Sequence, residues 1–596
     1  MAEVLTVPDL LADRLRATPD SPAFYMQGDG GAWHAVSWRQ FAYSVVRAAQ
    51  ALAGAGVGPG CRVGILSPNH LGWEVAQHAV LSLGACVVGL DVHYPDGILI
   101  DLVAATGVEV MIVRDLAQWR RLPPDQVATV RLVCVMDGPL PEGGIRSISL
   151  DHPPGPGPSE APGEALVSGS GIPDTLPALI VFSSGTTGTP KGIAYSQRQA
   201  VLAIRQLADA FPAIDGETPV VCWLPLANLF QRMINFCAMS QGRASFIVAD
   251  PREVMAVLPR ANPEIVIGVP RFFERVEAGM MATLRALGSP TRQIALALLA
   301  FLMQPDRSAN PLRMILRRAV RPIAEGVLFP RLRAAFGTRV RFLVSGSAPL
   351  SPQTHRFFET LGLPVFEAYG VSENIVPIAM NVPGHRKAGT VGRVLGINEM
   401  RIADDGEVLV RGPGVFSGYL GPGAAAPDAS GFWHTGDVGE LDADGFLRLK
   451  GRKTDAFKLS TGRWVSPLEV EQRLRALPWV EHAVVVGAGR KVPVAILNCP
   501  GGFPGRTPLP GASDEAVITL DISKALEGLP SHQCPGGVLL VTAPFSIEGG
   551  EITTNLKLRR KAIEAQFAPR CEVLYNRLDR PAGPDARPMP VEVDPP

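Results

Sequence analysis

The chain has 596 residues, which is long enough for several domains and more than one hydrophobic core. Apolar residues make up 46% of the chain and charged residues 19%, a balance that excludes an intrinsically disordered protein. Lys plus Arg and Asp plus Glu number 56 each, so net charge provides no overall attraction to nucleic acid or to an anionic membrane.

The first part of the chain alternates between helical and strand-like segments. Residues 9–60 are predicted to be helical, with a clear apolar period at 41–54, and a second helix is predicted at 73–84. Strands that are buried on both faces read as continuous apolar runs, so the runs between these helices predict a parallel sheet covered by helices on both sides. The predicted strands are 62–66, 86–90, 109–113 and 132–136.

A stretch rich in Pro, Gly and Ser at 151–177 predicts a surface connection between two such parts. Strands are predicted again after it, at 178–182, 245–248, 265–267 and 340–344. Beyond residue 400, short strands with polar alternation indicate a small β-rich subdomain. These strands are 406–411 and 445–449, and a final segment has a helix at 467–477, a strand at 483–486 and a Pro/Gly-rich loop at 499–511.

The cysteine pattern and the apolar runs indicate a cellular compartment. The eight cysteines are scattered and form no C-x-x-C pair, as a reducing compartment allows. The first residues lack a basic leader before an apolar run, and no uninterrupted apolar stretch reaches the roughly 18 residues that cross a bilayer. We therefore expect a cytoplasmic protein that makes at most peripheral membrane contact.

The strand at 178–182 runs directly into Ser-Ser-Gly-Thr-Thr-Gly-Thr-Pro-Lys-Gly at 183–192. Glycines let backbone N–H groups turn toward an anion, the hydroxyls add donors, and Lys191 adds a mobile positive charge, so the run predicts a polyphosphate-binding loop. A kinase or a P-loop ATPase is disfavoured, because Gly192 stands where G-x-x-x-x-G-K-[ST] requires a hydroxyl residue. The alternative is a flexible Ser/Thr/Gly surface loop.

This run resembles the phosphate loop of the adenylate-forming superfamily, which contains acyl-CoA synthetases, luciferases and the adenylation domains of peptide synthetases. Further motifs of that family follow in the same order. They are Gly-Ser-Ala-Pro-Leu at 346–350, Phe-Glu-Ala-Tyr-Gly-Val-Ser-Glu at 366–373, Thr-Gly-Asp at 435–437, Gly-Arg-Lys-Thr-Asp at 451–455, and Thr-Thr-Asn-Leu-Lys-Leu-Arg-Arg at 553–560.

The resemblance implies roles for individual residues. Tyr369 would lie against the adenine, Ser372 would contact the α-phosphate, and Asp437 would accept the ribose hydroxyls. Catalysis would depend on Lys557, Glu373 and Thr187, and Glu373 would also hold Mg²⁺. The implied nucleotide-binding set is Ser183, Ser184, Gly185, Thr186, Thr187, Gly188, Lys191, Ser347, Ala348, Glu367, Ala368, Tyr369, Gly370, Ser372, Asp437 and Arg452.

Other stretches resemble the long-chain acyl-CoA synthetase branch: Leu-Pro-Leu-Ala-Asn at 224–228, Val-Pro-Arg-Phe-Phe-Glu at 269–274, and a helical insert at 276–339. The resemblance places Asn228, Lys458 and Gly462 along the acyl and CoA channel. The chain departs from the branch at Asn228, where relatives have His, at Thr454 in the junction, and at Asn555-Leu556. The insert is both basic and apolar, so it predicts either a membrane-surface or CoA-phosphate patch or, as the favoured reading, a packed helix pair with a solvated arginine face.

The resemblance implies an α/β fold in which a large domain of doubly wound sheets with a β-rich subdomain (1–450) joins a small mobile α+β domain (457–596) through a hinge at 451–456. The expected reaction activates a medium- or long-chain fatty acid with ATP and Mg²⁺ to acyl-AMP and then forms a thioester with CoA. The alternatives are an acyl-AMP ligase that loads an acyl carrier protein, an aryl acid–CoA ligase, and a non-catalytic nucleotide or lipid sensor. The sensor is disfavoured because Lys557, Glu373 and Asp437 are all present.

Overall fold

The computed structural model describes residues 6–28, 31–142, 145–150, 169, 171–183, 190–211, 218–304, 311–421, 424–500, 502, 514–546, 549–553, 557–579 and 589–594. Its helices are α1 Val7–Ala17, α2 Trp38–Gly54, α3 Leu71–Ser82, α4 Asp96–Thr106, α5 Leu116–Trp119, α6 Gln197–Ala210, α7 Leu229–Gln241, α8 Val254–Ala261, α9 Pro270–Arg285, α10 Thr291–Met303, α11 Pro311–Ile323, α12 Phe329–Arg333, α13 Pro352–Thr360, α14 Pro467–Arg475, α15 Asp514–Ala525 and α16 Arg560–Leu578.

Its strands are β1 Pro22–Gln27, β2 Trp33–Ser37, β3 Arg62–Leu66, β4 Cys86–Leu90, β5 Val110–Val113, β6 Leu132–Val135, β7 Arg146–Ser149, β8 Pro177–Phe182, β9 Gly192–Ser196, β10 Val220–Cys222, β11 Ser245–Ile247, β12 Ile265–Gly268, β13 Phe342–Ser345, β14 Val365–Tyr369, β15 Ala379–Met380, β16 Arg393–Val394, β17 Glu399–Ile402, β18 Glu407–Arg411, β19 Trp433–Leu441, β20 Leu447–Arg452, β21 Phe457–Lys458, β22 Trp464–Val465, β23 His482–Val486, β24 Val494–Asn498, β25 Gly537–Val541 and β26 Val591–Asp594.

The predicted parallel sheet is present as a seven-stranded sheet in the order β7-β6-β5-β3-β4-β8-β9. Every neighbouring pair is parallel except the last, because β9 returns antiparallel to β8. The central strands are buried along almost their whole length, as their unbroken apolar runs require. The fold is therefore α/β, and the predicted strands in this sheet are confirmed to within a residue or two.

Two further sheets complete the layers around the site. The five-stranded sheet has the order β12-β13-β14-β15-β16, with its first three strands parallel, and the four-stranded sheet has the order β10-β11-β1-β2. The prediction that residues 9–60 are helical throughout was wrong, because 22–37 contain the hairpin β1–β2. The buried Phe24 pairs β1 with β11, more than two hundred residues along the chain, and no local pattern reveals that contact.

Helices α6 and α7 flank the site and have well-defined ends. Helix α6 starts directly after β9, where the Ser196 hydroxyl accepts a hydrogen bond from the N–H of Gln199 in a capping box. Helix α7 ends at Gly242, whose φ of 74° lies in the left-handed region that favours glycine. Both helices are therefore fixed by local sequence at the end that adjoins a strand.

The later part of the chain contains the predicted β-rich subdomain as the antiparallel sheet β17-β18-β19-β20. A separate sheet, β23-β24-β25-β26, packs α14, α15 and α16 through two apolar clusters. The helix predicted at 467–477 and the strand at 483–486 are confirmed as α14 and β23. Most of the predicted connection at 151–177 and of the loop at 499–511 lies outside the described residues.

The insert that follows α9 contains α10, α11 and α12, so its helical character is confirmed. Helix α10 packs against the body through Ala295, Leu299 and Leu302, but none of the side chains described in 312–323 is buried. The expected packed pair with a solvated arginine face is therefore wrong for α11. In the part of the chain that the structure describes, no helix is long and apolar enough to span a membrane.

Candidate active site

The candidate site is a cavity of about 620 Å³ at the carboxyl ends of strands from three sheets. Asp91 follows β4, Ser183 follows β8, Trp223 follows β10, and Gly346 and Gly370 follow β13 and β14. In open α/β sheets the crevice outside the carboxyl ends of the strands is where ligands bind, because loops and helix ends converge there. The sheet topology thus brings together motifs that lie far apart in the sequence.

Strands β8 and β9 bring the two described ends of the predicted phosphate loop to this cavity. The Ser183 N–H donates to the Lys191 carbonyl at 3.0 Å, and the Lys191 N–H donates to the Ser183 hydroxyl at 3.3 Å. These two hydrogen bonds join the described ends of the run, and both residues line the cavity. The other predicted loop residues, Ser184, Gly185, Thr186, Thr187 and Gly188, lie outside the described residues, so their roles remain predictions.

Glu373 lines the cavity next to Tyr419, a residue that the sequence analysis missed. The Tyr419 hydroxyl donates a short hydrogen bond to the Glu373 carboxylate, and the Lys191 ammonium lies 5.0 Å from the centre of the Tyr419 ring. Backbone pairing of Tyr419 with Ile193 carries this ring to the end of the phosphate hairpin. The ring therefore connects the predicted metal carboxylate with the phosphate loop.

Asp437 and Arg452 face each other across neighbouring strands β19 and β20. The Arg452 Nε lies 3.2 Å from one Asp437 oxygen, and the Tyr369 hydroxyl donates to the other at 2.7 Å. Burial raises the pKa of the Asp437 carboxyl. The Arg452 guanidinium and the Tyr369 hydroxyl act in the opposite direction and offset part of this rise. Arg452 lines the cavity, whereas the Tyr369 ring packs in an apolar cluster with Val391 and other residues, so its predicted place against adenine remains a prediction.

Lys557 reaches the same cavity from the last predicted motif. Its N–H donates to the Thr553 hydroxyl at 3.1 Å, and the Thr553 N–H donates to the Lys557 carbonyl at 2.8 Å, so two hydrogen bonds hold Lys557 beside Thr553. Burial and the neighbouring Arg452 guanidinium lower the pKa of the Lys557 ammonium, while Asp437 and Glu373 raise it. A cation is thus held among the groups predicted to bind the nucleotide.

The 346–350 turn has a strained backbone at Ser347, whose φ is 73° although it is not glycine. Both Ser347 and Gly346 line the cavity. Glu367 does not line it; its buried carboxylate accepts a hydrogen bond from the Leu350 N–H at 3.3 Å and so ties this turn to β14. Burial raises the pKa of Glu367 to about 7.

The remaining predicted nucleotide residues divide between the cavity wall and its surroundings. Ala368, Gly370 and Ser372 line the cavity, and the Ser372 carbonyl accepts a hydrogen bond from the Tyr195 hydroxyl at 2.6 Å. Ala348 is exposed in the turn beside Ser347 and is not part of the wall.

Among the predicted channel residues, Asn228 lines the cavity at the start of α7. The loop before it is held by Asn69, whose amide donates to the Leu224 carbonyl and accepts from the Leu226 N–H, both at 2.9 Å. A Cβ at Gly89 would lie 2.7 Å from the Ala227 carbonyl oxygen, so only glycine allows this approach. Lys458 and Gly462, by contrast, are exposed and do not line the cavity.

From Asn228 the cavity continues as an apolar arm between α6, α7, β10, β12 and β13. It runs from the carboxyl ends of these strands toward their amino ends, where Val220 and Ile265 lie. Because a strand rises about 3.3 Å per residue, the four residue steps from Ile265 to Val269, both of which line the cavity, correspond to roughly 13 Å. The helical spacing of the α7 residues could have identified this wall from the sequence. The arm is lined by Leu207, Phe211, Trp223, Phe230, Met233, Ile234, Cys237, Ala238, Ile267, Val344 and Met380.

The chain matches the models of a known enzyme family. A family model described as AMP-binding enzyme matches residues 11–420, and one described as AMP-binding enzyme C-terminal domain matches 454–579. The Mycobacterium tuberculosis long-chain-fatty-acid–CoA ligase FadD15 is 30% identical over 96% of this chain and 97% of its own. The human long-chain-fatty-acid–CoA ligase 1 is 27% identical over 67% of this chain and 61% of its own.

Two solved structures share the fold. The anthranilate CoA ligase AuaEII in complex with anthranoyl-AMP has a TM-score of 0.72 and 20% identity, and the match covers 95% of this chain and 98% of that one. The Bacillus subtilis o-succinylbenzoate CoA synthetase MenE with ATP and magnesium ion has a TM-score of 0.65 and 20% identity, over 93% and 98%.

Proposed function

Since the chain belongs to the AMP-binding enzyme family, we propose that it activates a fatty acid with ATP to acyl-AMP and then transfers the acyl group to CoA. One observation carries this proposal: the cavity that contains Glu373, Arg452 and Lys557 continues without interruption into the apolar arm. Polar groups at one end suit a nucleoside triphosphate, and an apolar arm at the other suits an alkyl chain. The names of the curated relatives support the same substrate class.

In the proposed first step, a carboxylate oxygen of the acid attacks the α-phosphorus of ATP. The new P–O bond forms as the bond to the β-phosphate oxygen breaks, and pyrophosphate leaves. Lys557 and Arg452 place positive charge where negative charge develops on the phosphoryl oxygens, and Asp437 accepts hydrogen bonds from the ribose. The protein provides position and charge, with no covalent intermediate on a side chain.

The donor set fits a bound Mg²⁺ when the nucleotide supplies the other ligands. The described residues contain no group of three or more His, Cys, Asp or Glu side chains that could hold an ion alone. Magnesium is commonly held by one or two carboxylates together with substrate phosphates, and Glu373 supplies such a carboxylate in the cavity. The ion would neutralise phosphate charge, and the Tyr419 hydroxyl would orient the Glu373 carboxylate.

In the proposed second step, the CoA thiolate attacks the acyl carbonyl, the thioester bond forms, and AMP leaves. Lys557 lies at the cavity while Lys458 and Gly462 lie away from it, which suits the first step. The second step then requires 457–596 to move against 1–450 about 451–456, bringing the loop that holds Gly462 to the channel. The C-terminal family model begins at residue 454, inside this proposed hinge.

ATP–pyrophosphate exchange with a panel of acids tests the first step. We expect exchange with medium- and long-chain fatty acids and little with benzoate-type acids, because the arm is long and most of the side chains that line it are apolar. Preference for aryl acids would contradict the assignment of the arm. The acyl acceptor is tested by supplying labelled acid with CoA or with a phosphopantetheinyl carrier protein. If only the carrier protein is acylated, it takes the place of CoA as the acceptor in the proposal.

A further inference from the structure

Helix α11 is an amphipathic helix whose apolar face points away from the protein. Leu312, Ile315, Leu316 and Ile323 are 75%, 64%, 52% and 62% exposed. Their spacing of three, four and eleven residues places them in one stripe about 100° wide, since each helical residue turns about 100°. Val327, in the π-helical segment Ala324–Leu328 that continues the helix, is 58% exposed and extends this surface, which we call the α11 face.

The contacts of the opposite side fix this orientation. The Arg317 guanidinium donates to the carbonyl of Leu302 at the end of α10, and Arg313 donates a short hydrogen bond to Gln304. The Arg313 guanidinium also lies 5.8 Å from the centre of the Phe301 ring. Because arginines on one side of α11 are bonded to α10, the helix cannot turn its apolar side inward without breaking them.

A helix of this length needs a surface on which to pack. Isolated helices shorter than about 12–15 residues are marginal in water, and most of their stability in proteins comes from burying an apolar face. Helix α11 has 13 residues and continues through the π-helical residues Ala324–Leu328 into the packed helix α12, but no described side chain within α11 itself is buried. Its apolar face is therefore suited to a partner outside the chain.

Charge decides which partner suits the α11 face. Residues 311–327 contain four arginines and one acid, Glu325, which lies 3.5 Å from Arg321, and Arg318 is exposed at the edge of the apolar stripe. A symmetric contact with a second copy would bring two helices of net positive charge together, which like-charge repulsion disfavours. An anionic bilayer offers complementary charge to Arg318 at the edge of the stripe and an apolar layer to the leucine and isoleucine side chains.

We propose that the α11 face docks this protein on anionic lipid bilayers, with the helix lying parallel to the membrane plane. This docking surface is a proposal separate from the proposed function. Only its purpose, access to an acid dissolved in the membrane, depends on that function. A helix of 13 residues is about 20 Å long, so it would lie along the interface rather than cross it.

Co-sedimentation of the full chain with vesicles, in the absence of ATP, acid and CoA, tests the proposal. We expect binding to equimolar phosphatidylglycerol and phosphatidylcholine, weaker binding to phosphatidylcholine alone, and a decline with added salt. The double variant Ile315→Glu/Leu316→Glu should lower the partition coefficient by about tenfold or more, because two apolar side chains are then replaced by charges that anionic lipid repels. The matched control Leu140→Glu/Leu441→Glu changes two exposed leucines elsewhere and should bind as wild type.

The charge contribution is tested separately. Arg318→Gln should lower binding to the anionic vesicles by about fivefold, while the control Arg448→Gln, at an exposed arginine on β20, should not. All variants should keep the wild-type unfolding midpoint and rate of pyrophosphate exchange with a water-soluble acid.

Three outcomes would overturn the proposal: no vesicle binding by wild type, equal binding by the Ile315→Glu/Leu316→Glu variant, or a dimer in sedimentation equilibrium that this variant abolishes. The last result would make the α11 face a contact between copies. Vesicle binding without pyrophosphate exchange on any acid would refute the proposed function and leave this docking surface in place.

Discussion

The Lys557→Ala substitution removes the one lysine that the last motif brings to the cavity, beside Glu373 and Arg452. Two unit charges 4 Å apart interact by about 4 kcal/mol at an effective dielectric constant of about 20. Complete loss of such an interaction in the transition state corresponds to about a thousandfold in rate. The Arg452 side chain in the same cavity is partly exposed, so solvent reaches these charges. Screening by this solvent lowers the expected loss of adenylation rate to about a hundredfold.

The assay separates the two half-reactions. Pyrophosphate exchange with a long-chain acid measures adenylation, and the reaction of synthetic acyl-AMP with CoA measures thioester formation. Lys557→Ala should lower only the first, and the control Lys450→Ala, at an exposed lysine on β20, should lower neither. Equal loss in both half-reactions, or loss confined to the second, would refute the assignment of Lys557 to adenylation.

The pH dependence provides a second test of the same residue. The pKa of Lys557 is lowered from its usual 10.5, chiefly by burial. The ammonium form, which carries the catalytic charge, is present below this pKa and is lost as pH rises through it. Wild-type exchange should therefore decline at a lower pH than an ordinary lysine would require, and Lys557→Ala should lack this decline. The same alkaline decline in the variant would show that another group titrates.

Three further predictions address the surroundings of the cavity. Tyr419→Phe keeps the ring under Lys191 but removes the hydrogen bond to Glu373, so kcat/KM for Mg-ATP should fall about tenfold, with the KM for the acid unchanged. An unchanged kcat/KM would show that the hydroxyl does not orient the carboxylate. Ala238→Trp fills the apolar arm, and each methylene that no longer fits should lower kcat/KM about fourfold, so a series of acids should show a shorter optimum. A uniform loss at every chain length would contradict this position for the alkyl chain. Burial raises the folded-state pKa of Glu367 from 4.5 to about 7, so its contribution to stability is greatest below pH 4.5 and falls by up to about 3 kcal/mol as pH rises through 7. Glu367→Gln should remove this decline in urea unfolding followed on either side of pH 7, and an unchanged pH dependence would assign it to other groups.

Five of the seven strands in the large sheet, β3, β4, β5, β6 and β8, could be predicted from local pattern because they are buried on both faces. The runs at 62–66 and 86–90 are unbroken apolar stretches, and a short apolar run between helices has few stable places other than the middle of a parallel sheet. The hairpin at 22–37 could not be recognised in the same way. Its first strand is completed by β11, so its strand character depends on a contact that is distant in sequence.

The candidate site shows the same division. The residue types of the motifs identify nucleotide chemistry, because hydroxyls, glycines, a carboxylate and a lysine in that order suit a polyphosphate and a ribose. Tyr419 lies 46 residues from Glu373 and belongs to none of those motifs, so only the pairing of its segment with β9 reveals its contact with the carboxylate. The sequence likewise predicts Glu367 as a nucleotide residue, whereas the structure places its carboxylate on the backbone of a neighbouring turn.

By itself the sequence determined the α/β class, the order of the motifs and the amphipathic character of the insert, since these depend on the identity and spacing of neighbouring residues. Only the tertiary structure decided which strand ends meet, where the apolar arm runs and which way α11 faces. Periodicity shows that a helix has an apolar side, but the rotation of that helix is set by contacts such as the one between Arg317 and the Leu302 carbonyl. Such contacts join separate elements, and their energy depends on the packing of the whole fold.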